Sequence, residues 1–160
     1  MKGISIAHQN TRKMNFRKYA EKADIIVNEV AEELGCTGDK KLATRILKAV
    51  LHTLRERLTI QESFQLMSQL PMLIKALYVE NWKYREKPRR IKSVGAFLKA
   101  VIHEDAPMGH HDIQSVKDGE NAIRAVFKVL RNHVSEGEIN GILQILPKDL
   151  HELWGEPHLV

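Results

Sequence analysis

Apolar residues recur at three- and four-residue steps along most of the chain, which is the period of an α-helix buried on one face. One such stripe consists of Leu42, Ile46, Val50, Leu54 and Leu58, and another of Ile123, Val126, Phe127, Leu130 and Val134. Further stripes of the same period follow each of these two. Alternation of apolar and polar residues, which is typical of strands, is not the prevailing pattern. The sequence therefore predicts an all-α fold.

The chain also matches itself. With a shift of 76 positions, the segment that begins at Ala43 aligns without a gap with the segment that begins at Gly119. Matched positions include Ala49 with Ala125, Leu54 with Leu130, Arg55 with Arg131, Glu62 with Glu138, Leu70 with Leu146 and Pro71 with Pro147. Such a match indicates one supersecondary unit used twice. We expect a tandem repeat of two related helical bundles, with three to four helices each, joined by a basic connector.

Local signals place the boundaries of these units. Gly35 is a plausible helix stop, and both Thr59–Glu62 and Ser135–Glu138 have the spacing of a capping box. Pro71 and Pro147 fall where a further helix can begin, because a first-turn proline loses no helical hydrogen bond. The predicted organisation is a flexible N-terminal segment at 1–14, a first helical repeat at 15–82, a basic connector at 83–92, a second helical repeat at 93–155 and a C-terminal tail at 156–160.

Length and composition limit the class of protein. A chain of 160 residues buries roughly 70% of its unfolded surface, which is enough for one domain or two small packed units. With 43% apolar and 28% charged residues, it has the composition of a globular protein, and its apolar runs fall short of the ~20 residues that a membrane span needs. The lone Cys36 fits a reducing compartment. We expect a cytoplasmic protein without a membrane span.

Several longer phrases resemble a known family. The phrase Gln69–Tyr78, with Ala49–Leu58 before it, resembles the first repeat of the bacterial domain of unknown function 2267 family. The phrase Arg124–Ile139, followed by Leu146–Leu150, is similar to the second repeat of that family. The resemblance covers about residues 16–154. It implies an all-helical tandem fold in a bacterial cytoplasm, and it supplies no activity, substrate or catalytic residue.

Positive charge is concentrated in two stretches outside the predicted helical cores. The connector carries +5, from six cations against Glu86, and the first 22 residues carry another +5, so that the remainder sums to −5 in a chain of net charge +5. The candidate nucleic-acid-binding residues are Lys83, Arg85, Lys87, Arg89, Arg90 and Lys92, with Trp82 beside them. Such a segment attracts polyanions, and Trp82 and Tyr84 offer rings for stacking. Alternatively, it is a solvated linker with packed aromatics, or it binds acidic faces of the same molecule or of another copy.

The segment around residue 110 carries the other candidate chemistry. His103, His110, His111 and Asp112 offer imidazole and carboxylate donors of the kind that divalent metals take. However, His110 and His111 are adjacent and point apart on a regular backbone. A solvated loop, with Asp118 capping the next helix, is the alternative reading.

Two polar pairs recur at the same positions in both halves. Arg55 lies seven residues before Glu62, and Arg131 lies seven residues before Glu138, across a predicted capped turn each time. An ion pair or hydrogen bond that braces the turn is the leading interpretation of these structural pairs, and a ligand-binding arginine is the second.

No motif points to catalysis. The chain has no Gly-x-Ser-x-Gly elbow, no phosphate-binding Gly-x-x-x-x-Gly-Lys loop and no dinucleotide fingerprint. We therefore expect a protein that is not an enzyme and that needs no cofactor. The leading hypothesis is an interaction or scaffold module that binds an unknown protein partner or itself. The alternatives are polyanion binding, to RNA or DNA, through the connector and the N-terminal segment, and a metal-dependent function at residues 103–112.

Overall fold

The computed structural model describes residues 14–155 of the chain. The N-terminal segment up to residue 13, with the predicted basic residues Lys2, Arg12 and Lys13, and the tail at 156–160 lie outside the described residues. Between residues 14 and 155 the fold consists of nine α-helices and a closing 3-10 turn, with no strand. The predicted all-α class is thereby confirmed.

The first half contributes four helices. They are α1 (Phe16–Leu34), α2 (Lys40–Arg57), α3 (Ile60–Met67) and α4 (Met72–Val79). The Asn15 side chain caps α1 by accepting from the Lys18 N–H, and Asp39 caps α2 in the same way through the Leu42 N–H. Helix α1 ends at Gly35, whose φ of 71° is left-handed and favours glycine, as the sequence predicts.

The second half contributes five helices and the 3-10 turn. They are α5 (Val94–Glu104), α6 (Gly109–Asp112), α7 (Val116–His133), α8 (Glu136–Ile145), α9 (Lys148–His151) and the turn Glu152–Trp154. The expected loop around residue 110 is therefore partly the short helix α6.

The cap of α7 also differs from expectation. Ser115, and not Asp118, is the cap: its Oγ accepts from the Asp118 N–H at 3.0 Å. The Asp118 carboxylate accepts from the Gln114 N–H at 3.3 Å. A serine three residues before an acidic residue is the ordinary capping order, which explains why the helix begins at Val116.

The two predicted capping boxes have different outcomes. At Thr59 both bonds form, since the hydroxyl accepts from the Glu62 N–H and the Glu62 carboxylate accepts from the Thr59 N–H. At Ser135 only the first bond forms, to the Glu138 N–H at 3.3 Å. The Ser135 N–H donates instead to the Gln69 side chain at 2.6 Å. Only one of the two bonds predicted at Ser135 forms, because Gln69 of the first half accepts from the N–H that the second bond would use.

The two halves share one core. Helix α1 packs on α2 and on α7, α5 packs on α2 and on α7, and α2 contacts α7. Under the shift of 76 positions α1 corresponds to α5 and α2 to α7. The first helix of each half therefore packs on the long helix of the other half as well as on its own. Buried apolar side chains from Ile26 to Trp154 form one continuous cluster.

Polar side chains of the first half also bond to residues of the second half. The Gln69 side chain bonds Ser135 through both its atoms, at 2.6 and 3.2 Å. The Arg57 guanidinium donates to the Ile145 carbonyl oxygen at 3.1 Å. Ile145 is the counterpart of Gln69 under the shift, and Ser135 is the counterpart of Thr59, two residues after Arg57. Two side chains of the first half thus bond to residues of the second half at either end of α8.

The predicted Arg55–Glu62 pair is wrong. Arg55 is 4% exposed, and its Nη1 donates to the carbonyl oxygens of Tyr78 and Glu80 at the end of α4. Glu62 serves the cap of α3 instead. The last carbonyls of a helix have no intrahelical donor, and a guanidinium from a neighbouring buried helix supplies one.

The predicted Arg131–Glu138 pair is wrong for the same reason. Arg131 Nη1 donates to the carbonyl oxygens of Trp154 and Gly155, at 3.0 and 2.6 Å, and the ion-pair partner of the guanidinium is Glu136, at 3.2 Å. The distance along the chain from Arg131 to Trp154 equals that from Arg55 to Tyr78, 23 residues. Each arginine thus holds the end of its half onto the long helix.

We expect replacement of Arg131 by methionine to lower the free energy of unfolding by about 3 kcal/mol, because the carbonyls of Trp154 and Gly155 lose a charged donor. Replacement of Glu138 by glutamine leaves those bonds intact and is expected to cost less than about 1 kcal/mol. Urea unfolding followed by far-UV circular dichroism measures both. If the two variants lost equal stability, Glu138 would be the partner of Arg131 after all.

Candidate functional site

The basic connector is an irregular segment that leaves α4 through Asn81, a residue with φ of 55°. Trp82 lies at its start and packs edge-on against Tyr78, with ring centroids 5.6 Å apart. The Arg55 guanidinium lies 5.8 Å from the centroid of the same ring. Trp82, predicted as a candidate stacking residue, is therefore half-buried as a packing residue, as the linker reading expects.

Glu56 fixes the middle of the connector. Its carboxylate forms an ion pair with Arg85, whose Nε lies 2.8 Å from Oε2, and its carbonyl oxygen accepts from the Arg89 N–H at 2.8 Å. At the far end Ile91 is 4% exposed and belongs to the shared core. The connector is thus attached to the helical body at its start, middle and end.

The other cations of the connector point into solvent. Lys83, Lys87, Arg89, Arg90 and Lys92 are all exposed. Tyr84 lies among them and is 74% exposed, which is the highest value among the large apolar and aromatic side chains of residues 14–155. Of the predicted set, Arg85 and Trp82 contact the body through their side chains, and Arg89 through its backbone N–H. The connector therefore presents a charged strip with one free aromatic ring.

The predicted metal donors do not converge. His110 and His103 border one shallow depression beside α5, whereas His111 is exposed, with its Nδ1 3.5 Å from Asp112. Asp112 turns inward and pairs with Arg45 of α2 through two bonds, at 2.9 and 3.0 Å. Among residues 14–155 no three histidine, cysteine, aspartate or glutamate side chains are grouped so that they could hold a metal ion. Successive residues of α6 point in different directions, which separates the donors.

A buried carboxyl pair replaces the predicted metal set. Asp105, which follows α5, is 5% exposed and lies within hydrogen-bonding reach of Asp112. Burial raises the pKa of Asp105 to about 7, with the neighbouring Asp112 adding to the effect. The Arg45 hydrogen bonds lower the pKa of Asp112 to about 2. The two shifts are opposite: burial favours the protonated form of Asp105, and Arg45 favours the ionised form of Asp112.

The ion pair between Arg45 and Asp112 joins the two halves, and the sequence did not indicate it. Arg45 precedes Asp112 by 67 residues, and neither residue belongs to a motif. The shift of 76 positions gives no signal either, since the counterpart of Arg45 is Asn121. Only the packing of α5 and α6 against α2 brings the three side chains together.

The fold and the connector define a class: an all-helical protein with one core and a basic segment, attached to that core, between α4 and α5. No described helix combines the length and the apolar character needed to cross a membrane. The chain belongs to the DUF2267 family, whose description is "Uncharacterized conserved protein" and which it matches over residues 23–153. No curated protein matches the chain.

We expect the Asp105→Asn variant to change how stability depends on pH. Because the pKa of Asp105 is raised in the folded state, the folded chain keeps a proton that the unfolded chain releases, and stability falls as pH rises from about 4 to 7. The variant lacks this contribution of Asp105 to the pH dependence of stability. The midpoint of its urea unfolding should therefore fall less than that of the wild type between about pH 4 and 7. A wild type and a variant with parallel pH profiles would contradict the raised pKa of Asp105.

Proposed function

We propose that the protein is a non-catalytic binding module of the bacterial cytoplasm whose basic connector binds a polyanion, with RNA or DNA as the ligand. The observation that carries this proposal is the attachment of the connector to the body by Trp82, Glu56 and Ile91, with its remaining cations exposed. The attachments determine which residues point outward. The connector is therefore a defined surface on the body.

Attachment favours binding for an entropic reason. A flexible basic linker loses conformational freedom when a polyanion immobilises it, which subtracts from the affinity. A connector that is already attached to the helical body loses less conformational freedom on binding. Cations at fixed places still gain from the release of the counterions that condense on a phosphate backbone.

The residues of the connector divide into two roles under this proposal. Arg85 and Trp82 hold the connector in place, through Glu56 and Tyr78. Lys83, Lys87 and Arg90 provide contacts for phosphates, and Tyr84 provides the exposed ring on which a base can stack.

A protein partner, or a second copy of the chain, is the second candidate for the bound ligand. The observation in its favour is a set of exposed apolar side chains on the adjacent helices α3 and α4. Phe64 is 61% exposed, Met72 49% and Leu73 42%. Exposed apolar surface of this kind is typical of interaction sites. The proposed role of the connector cations does not depend on this apolar surface. The two candidates therefore rest on different parts of the molecule.

Replacement of Lys83, Lys87 and Arg90 by alanine tests the leading candidate. Loss of three phosphate contacts should weaken binding to a single-stranded RNA and reduce the slope of log K against log salt by about 2. Fluorescence anisotropy with a labelled oligonucleotide, at several salt concentrations, measures both quantities.

The matched control replaces Lys41, Lys117 and Lys148, three exposed lysines outside the connector. Both triple variants have the same net charge, so only a local site distinguishes them. Equal losses in the two variants would mean that the protein attracts RNA by overall charge, and the proposal would be wrong. Unchanged binding in the connector variant would also reject it.

A further inference from the structure

A groove runs along the exposed side of α5, between α6 and the start of α7. It consists of two adjoining depressions of about 520 and 340 Å³. The depressions meet at Lys99, Ile102 and His110, which border both of them. Their size is that of a site for a small molecule. The proposed polyanion surface uses none of these residues.

Two glycines let the three helices approach closely beneath the groove. A Cβ atom at Gly109 of α6 would collide with the Ile102 carbonyl oxygen of α5. A Cβ atom at Gly119 of α7 would collide with the end of the Leu98 side chain. Because the helices are in contact at these two points, the floor of the groove is closed and lined partly by backbone.

The groove has a basic end and an apolar end. The smaller depression is bordered by Lys99, His103 and His110, which offer an ammonium group and two imidazoles. The larger depression is lined mainly by apolar side chains. These are Val94, Leu98, Ile102, Ile113 and Val116.

Two features of the apolar end point to a ligand that is apolar there. Val116 begins α7 and is 66% exposed, so its side chain presents apolar surface beside the buried Leu98 and Ile113. Glu120 also borders the larger depression and disfavours a negative group beside it. An anion is therefore favoured where Lys99, His103 and His110 border the smaller depression, and an apolar group is favoured beside Val116.

We propose that this groove binds an alkyl carboxylate of medium length, that is, a fatty acid of about ten carbons. The carboxylate lies between Lys99 and His110 and accepts hydrogen bonds from both. The alkyl chain lies along α5 over Leu98 and Ile113 towards Val116. The larger depression, of about 520 Å³, has room for an alkyl chain of that size.

Isothermal titration of the full chain with hexanoate, octanoate and decanoate tests this site. We expect a dissociation constant on the order of 100 μM for decanoate, and a loss of about 2- to 4-fold for each methylene removed. Decyltrimethylammonium, with the same chain and the opposite charge, should bind at least about 10-fold more weakly. Amide shifts in NMR spectra should map to α5, α6 and the start of α7.

Two variants and their matched controls locate the head and the tail of the ligand. Lys99→Gln should weaken decanoate about 5-fold, and Lys117→Gln, also exposed but outside the groove, should have no effect. Val116→Asp should weaken decanoate about 10-fold and abolish the gain from octanoate to decanoate. Val79→Asp, at an exposed position at the end of α4, should leave the binding of decanoate and of octanoate unchanged. Circular dichroism verifies that each variant is folded.

Three results would overturn the proposal. The first is the absence of saturable decanoate binding up to about 5 mM. The second is equal binding of decanoate and decyltrimethylammonium, which would mean that the groove attracts alkyl chains without regard to charge. The third is an equal loss in Val116→Asp and Val79→Asp, which would place the alkyl chain elsewhere on the protein.

Discussion

The packing of α2 and α7 in a shared core is the constraint on which the rest of the molecule depends. Each helix has 18 residues, of which ten in α2 and nine in α7 are buried. A surface helix has an apolar stripe on one side, whereas these two are covered over much of their circumference. One half of the chain does not contain enough helices to cover its own long helix in this way. The other half supplies α5 to α2 and α1 to α7.

This arrangement explains why the recurring residues are structural. Arg55 and Arg131 are buried, and a buried guanidinium must be hydrogen-bonded, so each one donates to carbonyls at the end of its own half. Both side chains are at most 5% exposed. The two binding sites that we propose therefore lie elsewhere, on the connector and in the groove of α5.

Local signals in the sequence predicted local structure. The end of α1 at Gly35 and the cap at Thr59 were predictable because each depends on residues within one turn of the chain. The cap at Ser135 was half wrong because Gln69, 66 residues away, takes its N–H. The Arg55–Glu62 pair was wrong because a spacing of seven residues does not reveal that the carbonyls of α4, 23 residues ahead, need a donor.

The same limit applies to the candidate sites. The cations of the connector were predictable from composition. Which of them contact the helical body was not predictable, because their partner Glu56 lies in α2, far away along the chain. Asp112 was predicted as a metal donor by its chemistry, and its actual partner, Arg45, is brought to it only by the packing of the two halves. A single sequence contains no periodic signal for a contact between halves.

The central claim, that the two halves fold as one unit, is tested most directly with the two tryptophans, because Trp82 belongs to the first half and Trp154 to the second. In the variants Trp154→Phe and Trp82→Phe, fluorescence reports one half at a time, and far-UV circular dichroism reports all helices. The shared core predicts that, within each variant, the two signals follow one urea transition with the same midpoint and slope. A fluorescence transition separated from the dichroism transition in either variant would show that the halves unfold independently, and would contradict this account.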